Sequence, residues 1–358
     1  MAYTTIDKPS DYINTVLYNG TGNSTAVTGV GFQPDWVWVK CRSSGGSNSY
    51  AHVITDVVRG VNESLFSNET DGEVANHAKG YLSAFGTDGF TVTGDEGTSQ
   101  SGETYVSWNW KAGGSASNNT TGDITATVSA NATAGFSIGS YNTSAMGSTN
   151  ATYTIGHGLS SAPKMIIVKP YSTSDNWYVY HQALGNAKYI SLNSTAAAAS
   201  NANSWGSTSP TSSVFSIGTY FWGVNSVQSV FYAFADVKGY SKFGSYVGNG
   251  SSNGTFCHTG FKPAWVMIKA TDAVKGWIII DNKRNFSELS GANTIRDRLR
   301  ANTNESTSDN GDGHDFYSNG FKHFGTDTST NQSGTNYIYM AFAENPFVTS
   351  TGIPTTAR

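Results

Sequence analysis

The sequence is poor in charged residues. Asp, Glu, Lys and Arg make up only 13% of its 358 residues, and the formal net charge is −4. An ordinary globular protein carries about twice that share of charge. No basic stripe is present that could neutralise phosphates, so we expect no nucleic-acid partner. The densest basic stretch, Arg296, Arg298 and Arg300, has charges at alternate positions, which indicates one solvated face of a strand or short helix.

Cysteine is almost missing, with only Cys41 and Cys257 in the chain. A structural zinc site needs about four clustered Cys or His ligands, so we expect no zinc, and nothing in the sequence indicates another cofactor. A disulfide between the two cysteines remains open. Two unpaired thiols in a reducing compartment are the preferred interpretation.

Long hydrophobic runs are missing as well. No stretch of about 18 apolar residues occurs, so we expect no segment that spans a membrane. The N-terminus, Met1 to Thr5, has neither the basic nor the apolar block of a signal peptide. We therefore expect a chain that is made in the cytoplasm and is not exported by the usual route.

What the sequence has instead is glycine and aromatic residues: 40 Gly, 19 Tyr, 18 Phe and 9 Trp. Aromatic and β-branched residues between Gly, Ser and Asn turns are typical of short strands. The length exceeds what one hydrophobic core usually fills. Composition therefore predicts an all-β protein of two or three domains.

One pattern occurs three times along the chain. A proline is followed by an apolar run, and six positions after the proline comes a lysine: Pro34 to Lys40, Pro163 to Lys169 and Pro263 to Lys269. Further landmarks keep the same order around each copy. They are a tyrosine (Tyr18, Tyr141, Tyr246), a polar residue (Asp56, His181, Asp281), an asparagine (Asn68, Asn193, Asn302) and a closing aromatic strand. Such ordered recurrence indicates an internal repeat.

The landmarks place the boundaries of the repeats. We name residues 12–112 repeat 1, 135–240 repeat 2 and 241–347 repeat 3, with 113–134 as a linker and 348–358 as a C-terminal tail. Each repeat contains several short segments separated by turns, which predicts three tandem β-sandwich or jelly-roll modules. The runs after the prolines are apolar on both faces, so we expect them to be central strands. Segments 194–199 and 293–300 are candidates for minor helix.

Four segments carry a resemblance to a known group of proteins: Gly31–Val37 with its copy Gly260–Val266, Asp56–Gly60, Val106–Ala112 and Ala341–Phe347. They resemble an uncharacterised repeat module of virion proteins from marine bacteriophages of the cyanophage type. The resemblance implies sandwiches similar to concanavalin and SPRY lectin domains. The middle repeat departs from the pattern, with Met165 where the others have tryptophan and His181 where they have aspartate.

No catalytic constellation stands out. The sequence has no His-Glu-x-x-His, no Gly-rich phosphate loop and no Gly-x-Ser-x-Gly elbow, so we expect no enzyme. The acidic loop 309–315 could offer carboxylates to calcium, but its spacing does not match an EF-hand, and a solvated turn is preferred.

The candidate binding residues are Asp56, Arg59, Asp281, Arg284, Trp205 and Trp222. The two Asp–Arg pairs recur in repeats 1 and 3, either as ligand-facing ion pairs or as turns held by the Asp side chain. Trp205 and Trp222 lie in polar or glycine-flanked loops and are candidates for an exposed patch. Trp36, Trp38, Trp265 and Trp277 lie in apolar runs, so we expect them in the core.

The resemblance and the repeats together predict a structural protein of a phage virion, displayed as a capsid decoration or appendage. The alternative is a receptor-binding tail fibre or tail spike protein that recognises host surface glycans. The expected partners are other virion proteins and, in the alternative, such glycans. Membranes and nucleic acids are not expected partners, and a homo-oligomer is compatible with the sequence.

Overall fold

The computed structural model describes residues 3–45, 50–147, 151–220, 226–284, 294–309 and 311–355. In these ranges the chain is all-β, as the composition predicts. Helical residues there form only short 3₁₀ turns, among them Pro9–Asp11, Thr143–Ala145 and Gln182–Leu184. No described helix is long and apolar enough to cross a membrane.

Repeat 1 forms two antiparallel sheets. Its strands are β1 (Ile13–Asn19), β2 (Thr25–Thr28), β3 (Trp36–Cys41), β4 (Val53–Asp56), β5 (Glu63–Phe66), β6 (Val74–Ala75), β7 (Leu82–Gly86), β8 (Gly89–Val92) and β9 (Thr104–Trp110). The large sheet has the order β1-β9-β3-β4-β5-β6, and the small sheet has the order β2-β8-β7.

The next sheet pair contains repeat 2 and part of the predicted linker. Its strands are β10 (Ser117–Asn119), β11 (Ala126–Asn131), β12 (Phe136–Asn142), β13 (Thr152–Gly156), β14 (Met165–Pro170), β15 (Tyr178–His181), β16 (Lys188–Ser191), β17 (Ala199–Ser200), β18 (Val214–Gly218) and β19 (Gln228–Phe234). The large sheet has the order β10-β11-β12-β19-β14-β15-β16-β17, and β13 pairs with β18.

Repeat 3 again forms a large and a small sheet. Its strands are β20 (Ser241–Val247), β21 (Asn253–His258), β22 (Phe261–Ala270), β23 (Ile278–Asp281), β24 (Thr294–Ile295), β25 (Leu299–Arg300), β26 (Gly313–Tyr317), β27 (Gly320–Phe324) and β28 (Asn336–Pro346). The orders are β20-β28-β22-β23-β25 and β21-β27-β26-β24.

The strand after each proline occupies the same place in its sheet. It lies between the closing aromatic strand and the strand that ends in the polar landmark. The residue two positions after the proline pairs with the last aromatic residue of the closing strand: Trp36 with Trp110, Met165 with Phe234 and Trp265 with Phe342. Across the other edge, the same residues pair with Asp56, His181 and Asp281. The landmarks therefore mark equivalent positions in three sheets.

Each large sheet is covered on both faces. On β3, Trp36 and Trp38 point into a central core, whereas Val37 and Val39 point into an outer core shared with the small sheet. The same alternation holds on β14 and β22. Because successive side chains of a strand point to opposite faces, a run that is apolar at every position is buried on both sides. The tryptophans at 36, 38, 265 and 277 are buried, as predicted.

The central core is common to all three large sheets, which the sequence did not predict. Trp36 of repeat 1 stacks on Tyr232 of repeat 2 at a ring-centroid distance of 4.7 Å. Phe234 of repeat 2 meets Phe342 of repeat 3 at 6.2 Å, and Trp110 of repeat 1 meets Trp265 of repeat 3 at 5.5 Å. The three sheets thus surround one aromatic interior.

Two sequence-based expectations about local structure are wrong. The candidate helix at 194–199 is not helical, because its backbone pairs with repeat 3: the Ala198 amide donates to the Thr271 carbonyl, and the Lys275 amide donates to the Thr195 carbonyl. Residues 294–300 contain β24 and β25 instead of a helix. In both segments tertiary hydrogen bonds outweigh helix propensity.

The basic stretch is also not a solvated face. Arg298 is buried and forms an ion pair with Asp327, while Arg296 is exposed. The predicted linker, 113–134, contributes β10 and β11 to the edge of the second large sheet. It is thus integrated into the sheet and is not an open connection.

Candidate functional site at the junctions between repeats

The landmark lysines join each repeat to another one. All three side chains are fully buried. Each ammonium group donates to one carbonyl of its own repeat and to one of a neighbour. The bonds to the neighbour run from Lys40 to Asn304 (3.2 Å), from Lys169 to Thr70 (2.8 Å) and from Lys269 to Thr195 (3.1 Å). Repeat 1 therefore bonds to repeat 3, repeat 2 to repeat 1 and repeat 3 to repeat 2, which closes a ring of three junctions.

Burial lowers the pKa of each of these lysines to about 8. Since a buried ammonium group is costly unless it is hydrogen-bonded, the paired carbonyls explain why the lysines are tolerated inside the protein. We name the junctions 3/1, 1/2 and 2/3 by the repeats that meet there.

The polar landmark at the end of each second strand lies at the same junctions. At junction 1/2, the Tyr232 hydroxyl donates to Asp56 Oδ2 at 2.8 Å. At junction 3/1, Trp108 Nε1 donates to Asp281 Oδ2 at 3.0 Å. At junction 2/3 the residue in the donor position is Met340, which has no polar hydrogen, and the acceptor is replaced by His181. The departure of the middle repeat thus matches a change in its neighbour.

Asp56 and Asp281 also shape the turn that follows them. Asp56 Oδ1 accepts from the amides of Val58 and Arg59, both at 3.0 Å, and Arg59 Nε donates to Asp56 Oδ2 at 2.7 Å. Asp281 and Arg284 repeat this arrangement, with 2.6 Å between Arg284 Nε and Asp281 Oδ2. The four side chains are at most 1% exposed, so both pairs are internal.

The two arginines differ in what completes their hydrogen bonding. Arg59 Nη1 donates to Glu73 Oε2 at 2.9 Å. The backbone amide of Glu73 shows which residue is equivalent to it at the other junctions. This amide donates across junction 1/2 to the carbonyl of Tyr171, two residues after the landmark lysine. At junction 3/1 the corresponding bond runs from the Thr307 amide to the Arg42 carbonyl. Thr307 of repeat 3 therefore occupies the position that Glu73 occupies in repeat 1.

A cleft opens at junction 3/1 beside this threonine. Its volume is about 440 Å³, and its lining comes from both repeats: Arg42, Ser43, Thr104, Asp297, Ser306, Thr307 and Asp309. Such a volume falls within the usual range of small-molecule sites. Several buried polar atoms at the junction have no hydrogen-bond partner among the described residues: Arg42 Nε, Arg284 Nη1, Asp297 Oδ2 and Thr307 Oγ1.

The electrostatics of the cleft couple these groups. Burial raises the pKa of the Asp297 carboxyl to about 6, although Arg284 and Arg42 oppose that rise. Burial, and after it the nearby Arg284, lowers the pKa of Arg42. Two guanidinium groups and one carboxyl group with a raised pKa therefore act on one another at the 3/1 junction.

Comparison with known protein families identifies one family, whose function is not known. The model of a domain of unknown function, DUF7483, matches residues 8–346. The chain belongs to the DUF7483 family. The match crosses all three repeats, in agreement with the single central core. No curated protein and no solved structure matches the chain.

One candidate residue of this DUF7483 chain is not where the sequence suggested. Trp205 was expected in an exposed loop patch but is only 1% exposed. Its Nε1 donates to the Lys188 carbonyl at 3.0 Å, and its ring meets Tyr180 edge-on. Burial of the ring in the outer core of repeat 2 makes that expectation wrong. Trp222 lies outside the described residues.

The acidic loop of the DUF7483 chain contains a local turn, in which Asp309 Oδ1 accepts from the Gly311 amide at 2.7 Å. His314 and Asp315 belong to β26. Within the described ranges, no three His, Cys, Asp or Glu side chains are placed to hold a metal ion. Cys41 and Cys257 are buried and unpaired, in different repeats.

The residues that sequence reasoning missed in this DUF7483 member are Arg42, Asp297 and Thr307. The lysine landmark two positions before Arg42 was visible, and it was a signal for an equivalent place in each repeat. Nothing in the sequence indicated that repeat 3 folds against repeat 1 there. Asp297 lies within the basic stretch whose alternating charges indicate a solvated face.

Proposed function

We propose that the protein is a non-enzymatic structural component of a phage particle, displayed on the capsid or tail as a decoration or appendage. The observation that supports this most is the ring of three junctions around one aromatic core. Buried lysines and aspartates form hydrogen bonds between the repeats. A body with such a common interior suits a permanent place in an assembly. The phage setting itself rests on the resemblance of the repeat segments.

The ring also suggests how attachment works. Each small sheet lies on the face of its large sheet that is turned away from the central core. One chain therefore presents three related outer surfaces, and weak contacts at several of them can add up when geometry permits simultaneous engagement. The low charge of the chain leaves little long-range steering, so attachment should depend only modestly on salt.

A co-sedimentation experiment tests this proposal. The purified chain is mixed with particles assembled without it, at low and high salt, and bound protein is measured after centrifugation. Saturable binding that changes little with salt is expected. A parallel incubation with host envelope polysaccharides should release no reducing ends. Absence of particle binding, or release of reducing ends, would contradict the proposal.

The second candidate is a receptor-binding tail protein that recognises host surface glycans. The cleft at junction 3/1 favours it, because Arg, Asp, Ser and Thr side chains are suited to hydroxyl and carboxylate groups of sugars. Binding to purified glycans without binding to particles would make this the better description.

A further inference from the structure

A comparison of junction 1/2 with junction 3/1 indicates which kind of ligand the cleft at junction 3/1 binds. Arg59 and Arg284 follow equivalent aspartates, and each bonds its aspartate through Nε and a strand carbonyl through Nη2. Arg59 Nη1 then binds the carboxylate of Glu73. Arg284 Nη1 is buried without a partner among the described residues, and the equivalent side chain is Thr307. The place filled by a carboxylate at junction 1/2 is therefore not filled by residue 307.

The surroundings of that place favour a carboxylate that carries hydroxyl groups. A guanidinium group binds carboxylates through directed N–H groups. Arg284 is not itself part of the cleft lining, but it interacts electrostatically with the lining residues Arg42 and Asp297. Arg42 Nε adds a second buried donor at the cleft. Asp297 Oδ2 is an acceptor without a donor from the described residues. Thr307 Oγ1 is also without a partner among them, and a hydroxyl can both donate and accept. A simple fatty acid would leave the last two groups unpaired, whereas the hydroxyls of a sugar acid would satisfy them.

We propose that the cleft at junction 3/1 binds an acidic sugar, whose carboxylate takes beside Arg284 and Arg42 the place that Glu73 takes beside Arg59. This site goes beyond the decoration role, which needs no such ligand, and it gives the second candidate function a specific class of ligand. It stands or falls independently of where the chain is attached.

The first experiment is a calorimetric or NMR titration of the full chain with glucuronate, glucose and propionate. Glucuronate should bind at one site per chain, and each of the other two should bind at least about tenfold more weakly, since each lacks one set of hydrogen bonds. No binding at about 10 mM glucuronate, tenfold above a weak 1 mM site, would overturn the proposal. Equal binding of glucose and glucuronate would overturn it as well.

The decisive variant is Thr307→Glu, which supplies from the chain the carboxylate that repeat 1 has. It should weaken glucuronate binding by about tenfold or more while the melting temperature stays the same or rises. Thr125→Glu makes the same chemical change at an exposed position of the segment 113–134 and should leave binding unchanged. Unchanged binding in Thr307→Glu would contradict the site.

Two further variants sharpen the result. Glu73→Thr opens the equivalent place at junction 1/2, so a second, weaker glucuronate site should appear, with Tyr171 in the position of Arg42. Glu288 follows Arg284 closely in sequence and lies outside the described residues. Glu288→Gln should leave the affinity unchanged. A clear gain in affinity in this variant would mean that the chain fills the place itself, and would refute the proposal.

Discussion

Junctions 1/2 and 3/1 are built on the same buried Asp–Arg turn, yet they differ in the third group. Glu73 closes the first, and Thr307 leaves the second open to a cleft. Junction 2/3 goes further, with His181, Leu184 and Ala198 at the three equivalent places. All three junctions still have the buried lysine and the backbone bond across it. The comparison indicates that ring closure depends on the buried lysine and on the backbone hydrogen bond across each junction. The Asp, Arg and Glu side chains of junction 1/2 can be replaced by other residues without loss of the junction.

The largest expected effect comes from removing an aspartate at either ionic junction. Asp281→Ala should cost about 3–5 kcal/mol in free energy of unfolding, because Arg284 would be left as a buried, uncompensated charge. Asp56→Ala should cost a similar amount. His181→Ala at junction 2/3 should cost clearly less, since no charge depends on it. Urea unfolding measures all three, with Asp71→Ala as the exposed control. Equal costs at all junctions would contradict the comparison.

The next effect separates the two ionic junctions directly. Glu73→Thr should destabilise the protein by about 1–3 kcal/mol, because Arg59 Nη1 loses its charged partner in a buried place. The reverse exchange, Thr307→Glu, should be neutral or stabilising. Thermal unfolding of the two variants and of the double variant shows whether each exchange lowers or raises the stability. If both single exchanges destabilise equally, the two places are not equivalent.

A smaller effect is expected in the pH dependence. The pKa of Asp297 is about 6 in the folded protein and about 3.9 when unfolded, so the folded state binds more protons between these values. The free energy of unfolding should therefore fall by about 1–2 kcal/mol as the pH rises from about 4 to 6, relative to Asp297→Asn. Parallel pH profiles of wild type and variant would show that the pKa of Asp297 is not raised in the folded protein.

The smallest effect, essentially none, is expected for calcium. The loop 309–315 beside the cleft uses Asp309 to hold its own turn and lacks a recognisable ligand spacing. Millimolar calcium should not raise the melting temperature. An increase of several degrees that Asp312→Ala removes would show that the loop binds the ion after all.

Much of the fold followed from the sequence because its signals are local. Proline to lysine spacing, apolar runs and turn residues are set within a few positions, and they predicted the strands that the three sheets share. The Asp–Arg turns were visible for the same reason, since Asp56 and Arg59 are three residues apart. A run that is apolar on both faces shows that a strand is covered but not by which partner, so the common core was missed.

The cleft could not be predicted for a related reason. Arg42 and Thr307 belong to repeats at opposite ends of the chain, and their contact depends on the closure of the ring. Trp205 shows the converse error. Its polar neighbours in sequence suggested a surface loop, while its indole lies in the outer core against Tyr180.

The closed ring has a consequence for how the chain reaches its native state. Two junctions join repeats that follow each other in the chain, but the bond from Lys40 to Asn304 spans 264 positions. Closing so long a loop costs entropy before its contacts compensate, and non-local contacts of this kind slow folding. During synthesis, the faces of Trp110 and Phe234 that contact repeat 3 therefore remain uncovered until Phe342 has left the ribosome. A chain cut short before repeat 3 exposes an aromatic interior to its neighbours, and aggregation is its expected fate.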